Sequence, residues 1–179
     1  MKNWVINNSG FVEVTLTKEM IANAEKRNHE FFKKLGNTGT HRTDKSRQRM
    51  TGYLAEMAVK EVYSKLEFSK DPKVDFFLKD VTFDVKAQGC NSAPGLSFVG
   101  TLYEEQADRE VGFYIFCRVK NDSSKVWITG FISKKSFLDK AKLIPAGTRN
   151  NNFTYDQSRY EIEYRNLIKP STFISKESA

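Results

Sequence analysis

The 179-residue sequence has no run of about 18 uninterrupted apolar residues, so a membrane-spanning helix of ordinary length is not expected. Its first ten residues, MKNWVINNSG, lack an apolar core behind their single lysine, and no secretory leader is read there. Cysteine is nearly absent. Cys90 and Cys117 are too few for a disulfide framework and lack the paired spacing of a zinc site, so both are expected to be reduced, Cys117 as ordinary strand packing. His29 and His41 have no ligand spacing with each other or with the cysteines. No phosphate-cradling glycine loop of the Walker type occurs, which leaves an ATP-driven mechanism without support. Internal repeats, low-complexity blocks and linker-like stretches are missing too. The expectation is one soluble domain without a membrane partner, in the cytoplasm of a bacterium or of a host cell, of a size that fits a phage or bacterial protein.

What is abundant is positive charge, and it is concentrated. The formal net charge is +7, and between Lys26 and Arg49 the basic residues Lys26, Arg27, Lys33, Lys34, Arg42, Lys45, Arg47 and Arg49 face only Glu30 and Asp44, a local +6. Such a patch attracts a polyanion by counterion release, and phosphate backbones are the commonest intracellular polyanion. A solvated helix face on a basic protein is the plainer reading of the same residues.

The periodicities place the elements. A hairpin flanks Asn7-Asn8-Ser9-Gly10, and Thr17 caps a helix over about 18–35, closed by Gly36. A polar, basic loop over 36–45 leads to a second helix over about 46–66, apolar around more than half its circumference and so mostly buried. The run VDFFLKDVTFDVK over 74–86 reads as two short strands turning at Lys79-Asp80. A loop over 89–100, a short helix near 103–108, strong strands over 111–120 and 125–132, and a short helix over 133–141 follow. A polar loop over 147–152, a one-sided strand over 160–165 and a fraying tail over 171–179 complete the chain. This order predicts an α+β (α/β) fold with a central mixed β-sheet flanked by helices. The segments divide as 1–45 (hairpin, basic helix and loop), 46–170 (core) and 171–179 (tail).

The second strand of the 74–86 hairpin carries the chemistry. Side chains two apart share a face, so Asp84, Lys86 and Gln88 point one way while Phe83, Val85 and Ala87 point toward a core. Asp75 lies nine residues before Asp84 across the turn, so two carboxylates can meet at adjacent strand ends. Convergent carboxylates suit a hard divalent cation, and a lysine beside them can stabilise charge on a phosphorane. In isolation an Asp-x-Lys on a strand is more often an exposed ladder pair, and Asp80 competes with Asp75 but reads as a turn residue. On the second helix Glu56 falls at the edge of the apolar arc. Its rival Glu61 falls between Leu54 and Met57, where a buried partner for a basic residue is the alternative reading. Tyr53, Trp127 and Phe98 are aromatics able to stack on bases, although core packing is the commoner use.

In this pattern the sequence resembles the PD-(D/E)XK nuclease superfamily, with its restriction endonuclease-like core. The resemblance rests on Asp75, on Asp84-Val85-Lys86, and on Glu56 in GYLAEMAVKEVY; it covers about 52–88 closely, with Val74 where the family name has proline. Gln88 resembles an extra polar position of some branches. The resemblance implies a Mg2+- or Mn2+-dependent deoxyribonuclease, endo- or exonuclease, that leaves 5'-phosphate and 3'-hydroxyl ends. Asp75 and Asp84 are then principal metal ligands with the Val85 carbonyl, Glu56 serves a second ion or its water, and Lys86 and Gln88 serve nucleophile and phosphate. DNA is the expected partner, gripped by Lys33, Lys34, Arg42, Lys45, Arg47 and Arg49. A homodimer is open, because restriction-type and resolvase-type members often pair. The competing readings are a non-catalytic DNA-binding module on the same scaffold and an interaction protein whose acidic cluster only stabilises the fold.

Overall fold

The computed structural model describes residues 2–34, 43–150 and 153–174, leaving aside the side chains of 43–45. Strands β1 (Trp4–Ile6) and β2 (Val12–Thr15) form the expected hairpin. Asn7 Oδ1 accepts the amides of Ser9 and Phe11 there, and Gly10 takes a φ of +78°. Thr17 Oγ1 accepts the Met20 amide at 3.2 Å, capping α1 (Lys18–Lys34) as its position predicts.

The second helix, α2 (Thr43–Val62), begins and ends earlier than the expected 46–66. Lys60 Nζ reaches forward to the carbonyls of Ser64 and Leu66, 2.7 Å each, and the chain turns into β3 (Glu67–Phe68), a strand the periodicity did not reveal. Strands β4 (Phe76–Leu78) and β5 (Val81–Cys90) are the anticipated pair, joined at Lys79, whose φ of +54° makes the tight turn. Where a loop and a short helix were expected, the chain forms β6 (Val99–Tyr103) and a single 3-10 turn at Glu104–Gln106. Strands β7 (Phe113–Lys120) and β8 (Lys125–Ser133) lead into α3 (Lys134–Lys140), capped by Ser133. Then come β9 (Lys142–Ile144), a small hairpin of β10 (Arg149–Asn150) and β11 (Phe153–Thr154) in the expected loop, and β12 (Arg159–Glu163). The expected fraying tail starts instead with α4 (Ser171–Ile174); the Phe173 ring lies 4.8 Å from that of Phe131, and Tyr63 Oη donates to the Pro170 carbonyl.

These elements make a mixed α+β fold around a seven-stranded sheet of order β1-β2-β8-β7-β5-β4-β3. Among the described residues β5 and β7 are its one parallel pair, Asp84 opposite Tyr114 and Lys86 opposite Phe116. Parallel neighbours need a crossover, and residues 91–112, with β6, supply it. Helices α1 and α2 cover one face, where Leu54, Ala55, Ala58 and Val59 meet Val85, Ile115, Cys117 and Ile128. The opposite face differs from a purely helical cover. Phe137 of α3 shares it with Leu102 and Ile162 of a second, antiparallel sheet of order β6-β12-β9, all against Tyr114, Phe116 and Ile132. Gly100 permits this close approach, since a Cβ there would lie 2.5 Å from Phe116 Cδ1. The 1–45 segment is not an appendage: β2 pairs with β8, α1 packs on α2, and position 45/46 falls inside α2.

Candidate active site

The register of the β4–β5 hairpin decides where its carboxylates go. Phe76 pairs with Phe83, and one step further Asp75 stands opposite Asp84, with the Asp75 amide donating to the Phe83 carbonyl at 2.9 Å. Asp75 Oδ2 accepts the Val85 amide at 2.7 Å, so both strands of the hairpin fix this carboxylate. Asp84 is 6 % exposed. Phe83, Val85 and Ala87 lie against the helical core, as the alternation predicts. Burial, followed by the charges of Glu56 and Asp84, pushes the Asp75 carboxyl up to about 8, against the lowering effect of the Val85 amide.

Glu56 comes to this hairpin from α2. It is 6 % exposed, and burial raises its carboxyl above the usual range while Arg27 lowers it and the Asp84 charge raises it further. Arg27 of α1 supplies the pairing charge, Nη1 to Glu56 Oε2 at 2.5 Å, and its guanidinium lies between the Tyr53 and Phe68 rings at 4.8 and 4.7 Å. Glu61, read as a buried alternative, is exposed and accepts a hydrogen bond from Asn3, because the helix turns that side away from the sheet. Asp80 is exposed in the turn.

Lys86 Nζ lies 2.8 Å from Asp84 Oδ2 and donates to Gln106 Oε1 at 3.0 Å. The Lys86–Asp84 contact is an ion pair without hydrogen-bond alignment, which leaves Asp84 Oδ2 buried and without a directed donor. Beside Asp84 in the parallel register, Tyr114 keeps a buried hydroxyl with no hydrogen-bond partner; burial and the Asp84 charge push it up to about 12. Gln88 Nε2 donates to Thr101 Oγ1 at 2.6 Å and its Oε1 is buried without a partner. Gln88, expected to orient water or phosphate, is thus held through its Nε2 by Thr101.

A groove of about 410 Å3 opens beside Lys86, with the N-terminal half of α2 on one side and β6 with the 3-10 turn on the other. Gly52 forms part of its floor, and a Cβ built there would meet nothing within 4 Å. Mid-helix glycine costs about 1 kcal/mol relative to alanine, and no packing neighbour accounts for it here. A larger cleft, about 1110 Å3, lies on the other side of the hairpin, but its rim sets Asp71, Glu105, Asp108 and Glu110 against Lys73, Arg109 and Lys134, a lining that does not favour a polyanion.

The basic residues are dispersed in environment. Lys33, Lys34 and Arg47 are exposed on α1 and α2. Arg49 is half-buried, its guanidinium 3.3 Å from the Phe31 ring centroid, so its contact is to α1 as much as to solvent. Arg42 lies outside the described residues, as does the side chain of Lys45. Tyr53 sits under Arg27 and Trp127 is buried, its indole donating to Glu13 Oε2, whereas Phe98 is exposed.

Among the described residues no group of three or more His, Cys, Asp or Glu side chains is placed to hold a metal ion as it stands. Ion pairs account for this, Glu56 being drawn to Arg27 and Asp84 to Lys86. The donor chemistry is compatible with a hard divalent cation all the same: an all-oxygen set, and an Asp75 carboxyl raised first by burial and then by the Glu56 and Asp84 charges, which a cation would offset.

No protein-family model matches the chain, and no curated protein matches it. Arg27, Tyr114, Gln106 and Thr101 escaped the sequence reading as site residues. Arg27 carried a signal, as part of the basic stretch, but nothing marked its partner; the others depend on cross-strand register and on a crossover that read as loop.

Proposed function

We propose that the protein is a metal-dependent phosphodiester hydrolase acting on DNA, built on a restriction endonuclease-like core. One observation carries the reading: Asp75, Asp84 and Glu56 are buried within mutual electrostatic reach, with Lys86 ion-paired to Asp84 at the edge of an open groove. Burying three carboxylates together is costly unless a cation accompanies them. A structural ion-pair network is the competing account, favoured by the Arg27–Glu56 and Lys86–Asp84 pairs, but neither cation directly pairs with Asp75.

In this reading Asp75 and Asp84, with the Val85 carbonyl, would hold Mg2+ or Mn2+, and Glu56 would hold a second ion or its water. The bound ion supplies a more acidic water and neutralises charge on the phosphate oxygens. Water attacks phosphorus in line and gives up a proton to solvent, the P–O3' bond breaks, and O3' takes a proton from solvent, leaving 5'-phosphate and 3'-hydroxyl ends. Lys86, oriented from two sides by Asp84 and Gln106, donates to the phosphate oxygen on which negative charge develops. Tyr114 holds a neutral hydroxyl beside Asp84. Exposed Lys33, Lys34 and Arg47 attract the strand's phosphates.

The test is cleavage of single-stranded, linear duplex, plasmid and four-way-junction DNA with Mg2+ or Mn2+ by the wild type and by Lys86→Ala. Cutting by the wild type and a loss of 100-fold or more in the variant supports the reading. Absence of cutting by the wild type, with salt-sensitive binding retained, moves the assignment to a non-catalytic DNA-binding module.

A further inference from the structure

We infer that the groove beside Lys86 seats one unpaired nucleotide of the bound strand, so that the substrate is DNA with a single-stranded segment at the cut and not an uninterrupted duplex. The inference rests on the hydrolase reading for the identity of the strand.

Apart from Lys86, the side chains lining the groove are neutral, among them the amides of Gln48, Gln88 and Gln106, the Thr51 and Thr101 hydroxyls, and the Tyr103 ring. Neutral amides can read base edges as well as touch phosphates, and Lys86 supplies positive charge for a phosphate at the groove's edge. Gln88 Oε1 has no hydrogen-bond partner among the described residues; buried as it stands, it can accept a base N–H once the side chain turns toward the groove, a bond a phosphate oxygen cannot offer. Tyr103 is 43 % exposed at the end of β6, and among the described residues its ring stacks on no other ring. A base presents its face to such a ring only when it is out of the double-helical stack.

Gly52 gives the second line of argument. A glycine in the middle of a 20-residue helix weakens it, and a Cβ built on this one would meet no atom of the described residues within 4 Å beyond its own helix, so no packing contact there requires the missing side chain. The groove has a use for it. Gly52 lies on its floor across from β5 and β6, and any larger side chain would stand where the strand has to pass.

The measurement is fluorescence anisotropy in EDTA, which separates binding from cleavage, using labelled oligodeoxythymidine of about 12 nucleotides and a blunt duplex of the same length. The wild type is expected to bind the single strand more tightly than the duplex. Tyr103→Ala should weaken single-strand binding by about 5- to 150-fold, and Tyr103→Phe should restore it, because the ring alone is needed. Gly52→Leu should weaken it at least 10-fold, while Gly52→Ala raises Tm by about 2 °C, as a helix without a packing need for glycine requires. Equal affinity for duplex and single strand, or wild-type binding by Tyr103→Ala, overturns the inference. A fall in Tm with Gly52→Ala overturns the argument from Gly52, and Tyr103 then decides alone. Absence of cutting by the wild type in the Lys86 experiment, with these binding differences intact, removes the hydrolase reading and leaves the groove.

Discussion

Arg27 Nη1 and Glu56 Oε2 stand 2.5 Å apart, an ion pair that joins the first long helix to the second at the rim of the carboxylate cluster. The glutamate is nearly buried and the arginine about a third exposed, so the pair is neither a surface bridge nor a fully desolvated one. Replacing Arg27 by methionine should cost about 1–3 kcal/mol, less than the ~3–5 kcal/mol of a fully buried pair, because solvent already screens the guanidinium. Urea unfolding measures it. Glu56→Gln in the same background should recover part of the loss, and additive losses would show that the two side chains do not interact.

Asp75 sets the pH dependence. Its folded carboxyl is raised from 3.8 to about 8, so the stability linked to its proton is fully present below about pH 4 and lost as pH rises through about 8. In metal-free buffer the wild type should therefore lose Tm between about pH 6 and pH 9, and Asp75→Asn, which keeps an oxygen for the Val85 amide without the charge, should lose much less. Parallel Tm curves for the two proteins would mean that Asp75 is already ionised at neutral pH.

A divalent cation should reverse that loss. Metal binding needs the deprotonated carboxyl, so Mg2+ or Mn2+ should raise Tm more at about pH 9 than at about pH 6. At a hundred times Kd the stabilisation is about 2.7 kcal/mol. Differential scanning calorimetry of wild type and Asp84→Asn checks it, and an equal rise in the variant would locate the ion elsewhere.

The basic residues should separate by environment. Arg47→Ala should reduce the slope of log K against log salt by about 0.7–0.9, the change expected when one phosphate is no longer neutralised. Arg49→Ala should cost about 0.5–2 kcal/mol of stability through its contact with Phe31 and change the slope less, because the guanidinium is held against α1. Binding titrations over a salt series, with urea unfolding alongside, distinguish the two effects.

The local signals in this sequence proved readable where one element decides the outcome. Thr17 caps a helix by contacting its own next turn, and Lys79-Asp80 turns a hairpin whose apolar residues alternate. The meeting of Asp75 with Asp84 follows from that turn alone. What could not be read depended on distant partners. β6 lacks a strong alternation because Gly100 is there for Phe116, sixteen positions along the chain, and Arg27 finds Glu56 only once two helices have packed. The groove was hidden for the same reason, one wall being helix and the other a crossover that resembled loop.

That crossover has a consequence for how this kind of site can diversify. The parallel pairing of β5 with β7 requires only that residues 91–112 span the sheet and return, whereas the residues facing the groove within that span, Thr101, Tyr103 and Gln106, are separate from Asp75, Asp84 and Glu56. That one stretch of chain can thus be altered to reshape the groove, while the carboxylate hairpin and its helix stay as they are.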